Sequence, residues 1–188
     1  VGGRGKRLGK LTLKTPKPLI KIKSKFFLDI LIDKITKINL DKIYLLCSYK
    51  KKIFFKYYHK KIINNCKIIC IDEGRQKDTG GALYKIKHKI KKNFLLFNGD
   101  TYLDIDLKLF SKFNKNNALG TIAITHNKSY KKNEKLNNIQ INKLGFINYS
   151  KSKTNLMNGG VYFFKKKFLK DIKNKRISLE NDILPNLI

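Results

Sequence analysis

No part of this 188-residue sequence reads as a membrane span. The longest run free of Lys, Arg, Asp and Glu, from Asn116 to Asn127, is 12 residues and partly polar, whereas a spanning helix needs about 20. The opening glycines and bases, with no apolar segment behind them, do not read as a secretory signal. Cysteines number three, Cys47, Cys66 and Cys70, all in apolar, strand-like surroundings. That odd count excludes a disulfide scaffold and predicts a reducing cytoplasm. Arginine is scarce as well: four against 39 lysines, within a net charge of +30. So basic a chain invites nucleic acid as a partner, yet base readers favour arginine for bidentate contacts. Lys, Ile and Asn make up 83 of the 188 residues. All three have A/T-rich codons, and the lysines are spread along the whole chain, so compositional drift explains the charge better than a polyanion surface does.

What is present is a core: 41% of residues are hydrophobic and 11% aromatic, enough to exclude wholesale disorder. Short apolar runs alternate with amphipathic ones, as in βαβ units. Strands are expected at 43–48, 66–71, 94–97 and 120–125, the last rich in β-branched residues. Helices are expected over 25–37 and 82–91, with another after Asp106, a good N-cap. Residues 138–149 and 155–164 read as two hairpin strands, followed by a Lys-rich helix and a last helix from Ser178. The expected architecture is a single α/β domain over 1–188 with an antiparallel addition. Both ends read as truncated, because a glycine loop of this kind usually follows a strand and the last helix stops at Ile188.

Four stretches carry chemistry. Gly2-Gly3-Arg4-Gly5-Lys6-Arg7-Leu8 combines backbone that can approach an anion with a guanidinium fork that grips phosphate. Its spacing is neither that of a P-loop nor G-x-G-x-x-G. Thr15-Pro16-Lys17-Pro18-Leu19 holds a lysine between two of only three prolines, which fixes the backbone on both sides of it. Asp78-Thr79-Gly80-Gly81-Ala82 opens a helix where a ligand can come close to backbone. Asn98-Gly99-Asp100-Thr101 follows a strand, and the carboxyl ends of strands are where open α/β sheets bind ligands. A carboxylate there can hold a metal ion against phosphates.

Taken together and in this order, these stretches resemble the sugar-phosphate nucleotidyltransferases, a family with a Rossmann-like three-layer α/β/α (GT-A-like) fold. Asn158-Gly159-Gly160-Val161-Tyr162, the run Ser178 to Pro185 and the run Asn98 to Leu107 are similar to the branch containing the heptose 1-phosphate guanylyltransferases. The resemblance implies that an NTP, with GTP as one candidate, and a sugar 1-phosphate of heptose or mannose type give NDP-sugar and pyrophosphate. It implies catalytic roles for Arg7, Lys17 and Asp100, with Mg²⁺ on Asp100. Nucleotide contacts would come from Gly2, Gly3, Arg4, Gly5, Glu73, Thr79, Gly80 and Gly81, and sugar-phosphate contacts from Lys151, Lys153, Asn158 and Gly159. The sequence departs from the family at Lys6, where Thr or Ser is usual, and near 150–153, where Lys151 and Lys153 lack the family's accompanying Glu. The resemblance also implies a cytoplasmic enzyme of lipopolysaccharide or capsule synthesis, without membrane insertion or nucleic-acid binding, and is compatible with a homo-oligomer.

Plainer readings cover the remaining features. His59, His88 and His126 are scattered in polar or basic surroundings, which argues against a catalytic base. Cys66 and Cys70 share one strand face and read as core packing rather than zinc ligands. Phe54, Phe55, Tyr57 and Tyr58 read as a packed helical face, and Lys165–Lys167 as solvated. Asp104 and Asp106 form a D-x-D that a GT-A-type glycosyltransferase would use for metal, although Asp106 is more simply a helix cap. That glycosyltransferase and a basic nucleic-acid-binding module are the alternative readings.

Overall fold

The computed structural model describes residues 1–3, 5, 9–75, 77–113, 118–126 and 137–187. Ten strands and five α-helices alternate along it. In chain order they are α1 (Lys10–Lys14), β1 (Lys21–Ile22), β2 (Lys25–Phe26), α2 (Phe27–Ile35), β3 (Lys42–Cys47), α3 (Lys51–Tyr58), β4 (Ile62–Ile63) and β5 (Cys66–Asp72). Then come α4 (Asp78–Leu83), β6 (Phe94–Phe97), α5 (Leu107–Lys112), β7 (Gly120–His126), β8 (Asn137–Ile141), β9 (Ile147–Thr154) and β10 (Leu156–Phe164).

Strand periodicity decides the layering, since alternate side chains point to opposite faces. Leu45 and Cys47 of β3, Cys66, Ile68 and Cys70 of β5, and Val161 of β10 enter one apolar cluster with α2 and α3. Tyr44 and Leu46 of β3 and Tyr162 and Phe164 of β10 enter a second, with Leu83, Phe168, Leu169 and Leu179. Helical segments thus cover both faces of the strands, giving three α/β/α layers. On α2, Leu28, Leu31, Ile32 and Ile35 fall on one buried stripe. Asp29 accepts a hydrogen bond from the Phe26 amide (3.1 Å) and another from the Tyr58 hydroxyl (2.6 Å), which ties α2 to α3. Phe54 and Tyr58 are buried, as the helical spacing predicts, and all three cysteines are free in the core.

Two three-stranded sheets result. β3 and β5 run parallel, with Leu45 opposite Cys70, and β4 folds back on β5 through Asn64-Asn65, both at positive φ. In the other sheet β10 lies between β6 and β7, antiparallel to both. Among the described residues β3 pairs only with β5 and β6 only with β10. Their facing edges border a cleft of about 1070 Å³, lined mostly by apolar core side chains such as Ile32, Leu45 and Leu83 and also by Gly2, Lys17 and Asp100.

The expectation of two hairpin strands at 138–149 and 155–164 is corrected. A turn at 142–146 divides the first, because the Asn142 side chain accepts from the amides of Leu144 (3.0 Å) and Phe146 (2.9 Å) while Gly145 sits at φ +77. The hairpin is therefore β8–β9, with Ile139 opposite Tyr149. β10 is apolar on both faces and so occupies a central position instead. The last two expected helices are also shorter. Lys166–Asp171 is 3₁₀, and Ser178 caps a π-helical turn, Leu179–Ile183, that passes into a 3₁₀ turn containing Pro185. Among the described residues no helix is long and apolar enough to cross a membrane.

These placements set a stability contrast. Phe54→Ala, at a fully buried position, is expected to cost about 3–5 kcal/mol by chemical denaturation. Asp106→Ala is expected to cost about 1 kcal/mol, because Asp106 caps α5 by accepting from the amides of Lys108 and Leu109.

Candidate functional site

The glycine loop opens onto the cleft. Gly2 is buried so tightly that a Cβ would lie 2.9 Å from Glu73 Oε1 and 3.1 Å from Ser48 Cβ. Gly5 has φ +63 and is closed in by Thr12 and Lys17, whose Cβ lies 3.2 Å from where a side chain would begin. Gly3 is exposed with open space around its Cα. Behind the loop, the last carbonyls of α1 are held by the Tyr49 hydroxyl and the Lys50 ammonium. Arg4 and Arg7, expected to grip phosphate, lie outside the described residues.

Lys17 projects from a 3₁₀ turn, Lys17–Leu19, whose flanking Pro16 and Pro18 are both buried. Its Nζ is 2.7 Å from Asp100 Oδ2. Asp100 stands three residues beyond the end of β6. The intervening Asn98-Gly99 turn is pinned by the Asn98 amide, which donates to Gly160 O (2.8 Å), and by Val1, which packs directly on Gly99. Two residues 83 apart in sequence, chosen separately from the sequence, therefore share one point at the mouth of the cleft. Their side chains are 36% and 40% exposed. Among the described residues no three His, Cys, Asp or Glu converge as a metal cluster. A carboxylate at this position can hold a divalent cation against the phosphates of a nucleotide.

Glu73 forms part of the same wall. It is buried at 4% exposure, faces Gly2, and among the described residues no side-chain hydrogen bond or ion pair reaches its carboxylate. Burial pushes its carboxyl pKa up, and the neighbouring Asp72 adds to the rise. Asp78 and Thr79 also line the cleft. Gly80 and Gly81 are buried against residues 175–179, and both amides donate to Ile177 O (3.0 and 3.1 Å). On the far side, β10 bulges between Asn158 and Tyr162. Asn158 Oδ1 accepts from the Gly160 amide (2.9 Å), and Gly160, at φ +70, lies against the Asn98 side chain. Gly159 packs on Leu103 and Ala123. The backbone of Lys151 and Lys153 runs in β9, and their side chains are outside the described set.

The D-x-D residues are separately engaged. Asp104 pairs with Lys34 (2.7 Å), which holds its carboxyl below the usual range, and Asp106 caps α5. Neither is among the residues that line the cleft, whereas Asp100 is. His59 accepts from the Cys70 amide (3.2 Å), a structural role. Nothing in the sequence signals that Lys17 and Asp100 touch. Nor does it assign a role to Glu180, which accepts from the Tyr162 hydroxyl at 3.1 Å and from the Thr79 hydroxyl at 2.6 Å; tandem motifs reveal residue types but not contacts across a hundred positions.

Residues 1–187 match the nucleotidyl transferase family. The bifunctional protein GlmU of Methanocaldococcus jannaschii is 32% identical over 180 residues, covering 94% of this chain and 41% of that protein. The D-glycero-α-D-manno-heptose 1-phosphate guanylyltransferase of Campylobacter jejuni is 28% identical over 187 residues, 98% of this chain and 83% of that enzyme. The crystal structure of HddC from Yersinia pseudotuberculosis complexed with GMP-PN superposes with a TM-score of 0.80 at 27% identity, over 100% of this chain and 84% of that one. The chain spans about two fifths of the length of the GlmU relatives. A match that runs from the glycine loop to the final turn, on a fold shared with such structures, leads to one assignment: this chain belongs to the nucleotidyl transferase family.

Proposed function

We propose that the protein joins an NTP, with GTP preferred, to a sugar 1-phosphate of heptose or mannose type. A phosphate oxygen of the sugar 1-phosphate attacks the α-phosphorus of the NTP. The bond to the bridging oxygen then breaks, and pyrophosphate leaves as NDP-sugar forms. Such transfer needs alignment and charge neutralisation rather than a covalent nucleophile. The observation that carries this reading is the Lys17–Asp100 contact at the end of β6, beside the glycine loop.

In this reading, Gly2, Gly3 and Gly5 present backbone to the triphosphate, Lys17 exchanges Asp100 for reacting phosphate oxygens, and Arg7 draws off pyrophosphate. Asp100 would hold Mg²⁺, which when bound withdraws charge from the phosphates. Thr79, Gly80 and Gly81 form the nucleotide-side wall. Asn158 and Gly159, which precede the Gly160 that lies against Asn98, face the sugar, and Lys151 or Lys153 meets its phosphate. Arg4 adds charge at the loop. Glu73 supports guanine: a carboxylate with two free acceptors suits the adjacent N1–H and N2–H donors of that base, whereas uracil offers one N–H flanked by carbonyls. An unpartnered buried carboxylate is costly, and guanine would relieve that cost. The matching relatives include guanylyltransferases. We place the protein in the cytoplasm, supplying lipopolysaccharide or capsule synthesis, with homo-oligomerisation compatible.

Pyrophosphate release from each of the four NTPs, paired with heptose, mannose and glucose 1-phosphates and Mg²⁺, tests the reaction, with GTP and a heptose or mannose 1-phosphate expected to react fastest. Release from no combination would refute it. Asp100→Asn, almost isosteric but uncharged, is expected to lower Mg²⁺-dependent turnover by about 10²-fold or more, while Asp104→Asn stays close to the parent. Lys17→Ala is expected to lose a similar factor, with Lys14→Ala and Lys21→Ala little changed. Glu73→Gln is expected to cut kcat/KM for GTP about tenfold or more relative to UTP. As Glu73 must be ionised to accept both donors, GTP affinity in the parent should fall as pH drops through its raised pKa, and this dependence should vanish in the variant.

A further inference from the structure

The nucleotide-side wall is strained and held from outside. Asp78, which lines the cleft, has φ +57, an unusual conformation for a residue with a side chain. Such conformations persist where neighbouring contacts over-determine them. Here residues 174–183 supply those contacts. Arg176 Nε lies 2.7 Å from Asp78 Oδ2, and Lys77 Nζ bonds Asn174 Oδ1. The Ile177 amide donates to Lys77 O (3.1 Å), while Ile177 O receives the amides of Gly80 and Gly81. A side chain at Gly81 would collide with Lys175 O, at 2.2 Å.

At the centre of this clasp is Glu180. Its Oε2 accepts from the Thr79 hydroxyl (2.6 Å) and the Ser178 hydroxyl (3.3 Å), and its Oε1 accepts from the Tyr162 hydroxyl (3.1 Å). The Thr79 oxygen in turn accepts from the Leu179 amide (3.0 Å), so both its donor and one of its acceptor sites are used. Tyr162 lies opposite Leu96 of β6 and four residues after Asn158. One carboxylate therefore links the Asp78–Thr79 turn to the strand pair β6–β10, which leads to Asp100 and carries the Asn158 bulge. An ionised carboxylate is acceptor-only and can serve three hydroxyl donors; an amide has one acceptor oxygen.

We infer that Glu180 is a positioning residue for the nucleotide: through Thr79 and Tyr162 it fixes the distance between the Asp78–Thr79 wall and β6, the strand that leads to Asp100. This rests on the nucleotidyl-transfer reading of the cleft. The effect acts on nucleotide binding more than on the chemical step or on the sugar phosphate, because Lys17 and Asp100 are held by other contacts.

The test combines equilibrium GTP binding with steady-state pyrophosphate release for Glu180→Gln, Thr79→Val and the double variant, well below their unfolding temperatures. Glu180→Gln is expected to raise the GTP Kd and KM about tenfold, the worth of one charge-assisted hydrogen bond, with kcat and the sugar-phosphate KM within about threefold. In the Thr79→Val background the same change should add less than about twofold, since the two residues act as one unit. Tyr162→Phe, which keeps the carboxylate, should give a smaller rise in GTP Kd and serves if Glu180→Gln does not fold. Unchanged GTP affinity in Glu180→Gln or, in its place, Tyr162→Phe would overturn the inference, as would full multiplication of the two effects or an equal rise in the sugar-phosphate KM. A parent protein that binds no GTP would overturn the nucleotidyl-transfer reading, and this inference with it.

Discussion

The 2.7 Å contact between Lys17 and Asp100 is the constraint around which the site is arranged. It contributes little to stability: both side chains are more than a third exposed, and ion pairs of that kind are worth about 0–1 kcal/mol. Its geometry is nevertheless expensive to produce. Buried prolines brace one partner, and β6 with its Asn98-Gly99 turn delivers the other. Gly5 must lack a side chain for Lys17 to pass, and Gly99 must lack one for Val1 to pack. So much local structure around so weak a bond supports the proposed reading, in which the pair presents a cation and an anion together. In that reading phosphates attract the first and a divalent metal the second, so a bound nucleotide and its metal would replace each partner of the pair.

Around that point the cleft has two walls of different character. The wall proposed for the nucleotide combines a buried carboxylate, Glu73, with a strained turn at Asp78 that is clasped by residues 174–183. The wall proposed for the sugar is a β-bulge, which re-aims Asn158 and sets Gly160 against Asn98. Both walls meet at β10 and β6, and Glu180 bridges them through Tyr162. The many lysines play little part in this geometry; the paired ones described, such as Lys34 with Asp104 and Lys51 with Asp72, make surface contacts.

Much of this was legible in the sequence, for reasons that are local. Proline bracing of Lys17, an Asn-Gly-Asp turn after an apolar strand and the Asp106 cap all act within a few residues, and each keeps its meaning in the fold. The alternation in β3 and β5 and the stripe on α2 are local as well. Less legible were features set by long-range contact. The division of 138–149 depends on an Asn142 turn, and the central position of β10 on two apolar faces that short-range patterning does not distinguish from a hairpin. Glu180 looked like one acidic residue in a final helix, because its partners Thr79 and Tyr162 are 101 and 18 positions away. Gly80 and Gly81 pack against residues 175–179, a contact that a glycine pair near a helix start does not announce.

The most direct measurement is a crystal structure of the protein with a non-hydrolysable GTP analogue and Mg²⁺. The expected result is an open Lys17–Asp100 pair, with Lys17 Nζ on a phosphate oxygen, the Asp100 carboxylate on the metal and Glu73 on the edge of the guanine. Nucleotide bound elsewhere, with the 2.7 Å contact intact and no metal at Asp100, would contradict it.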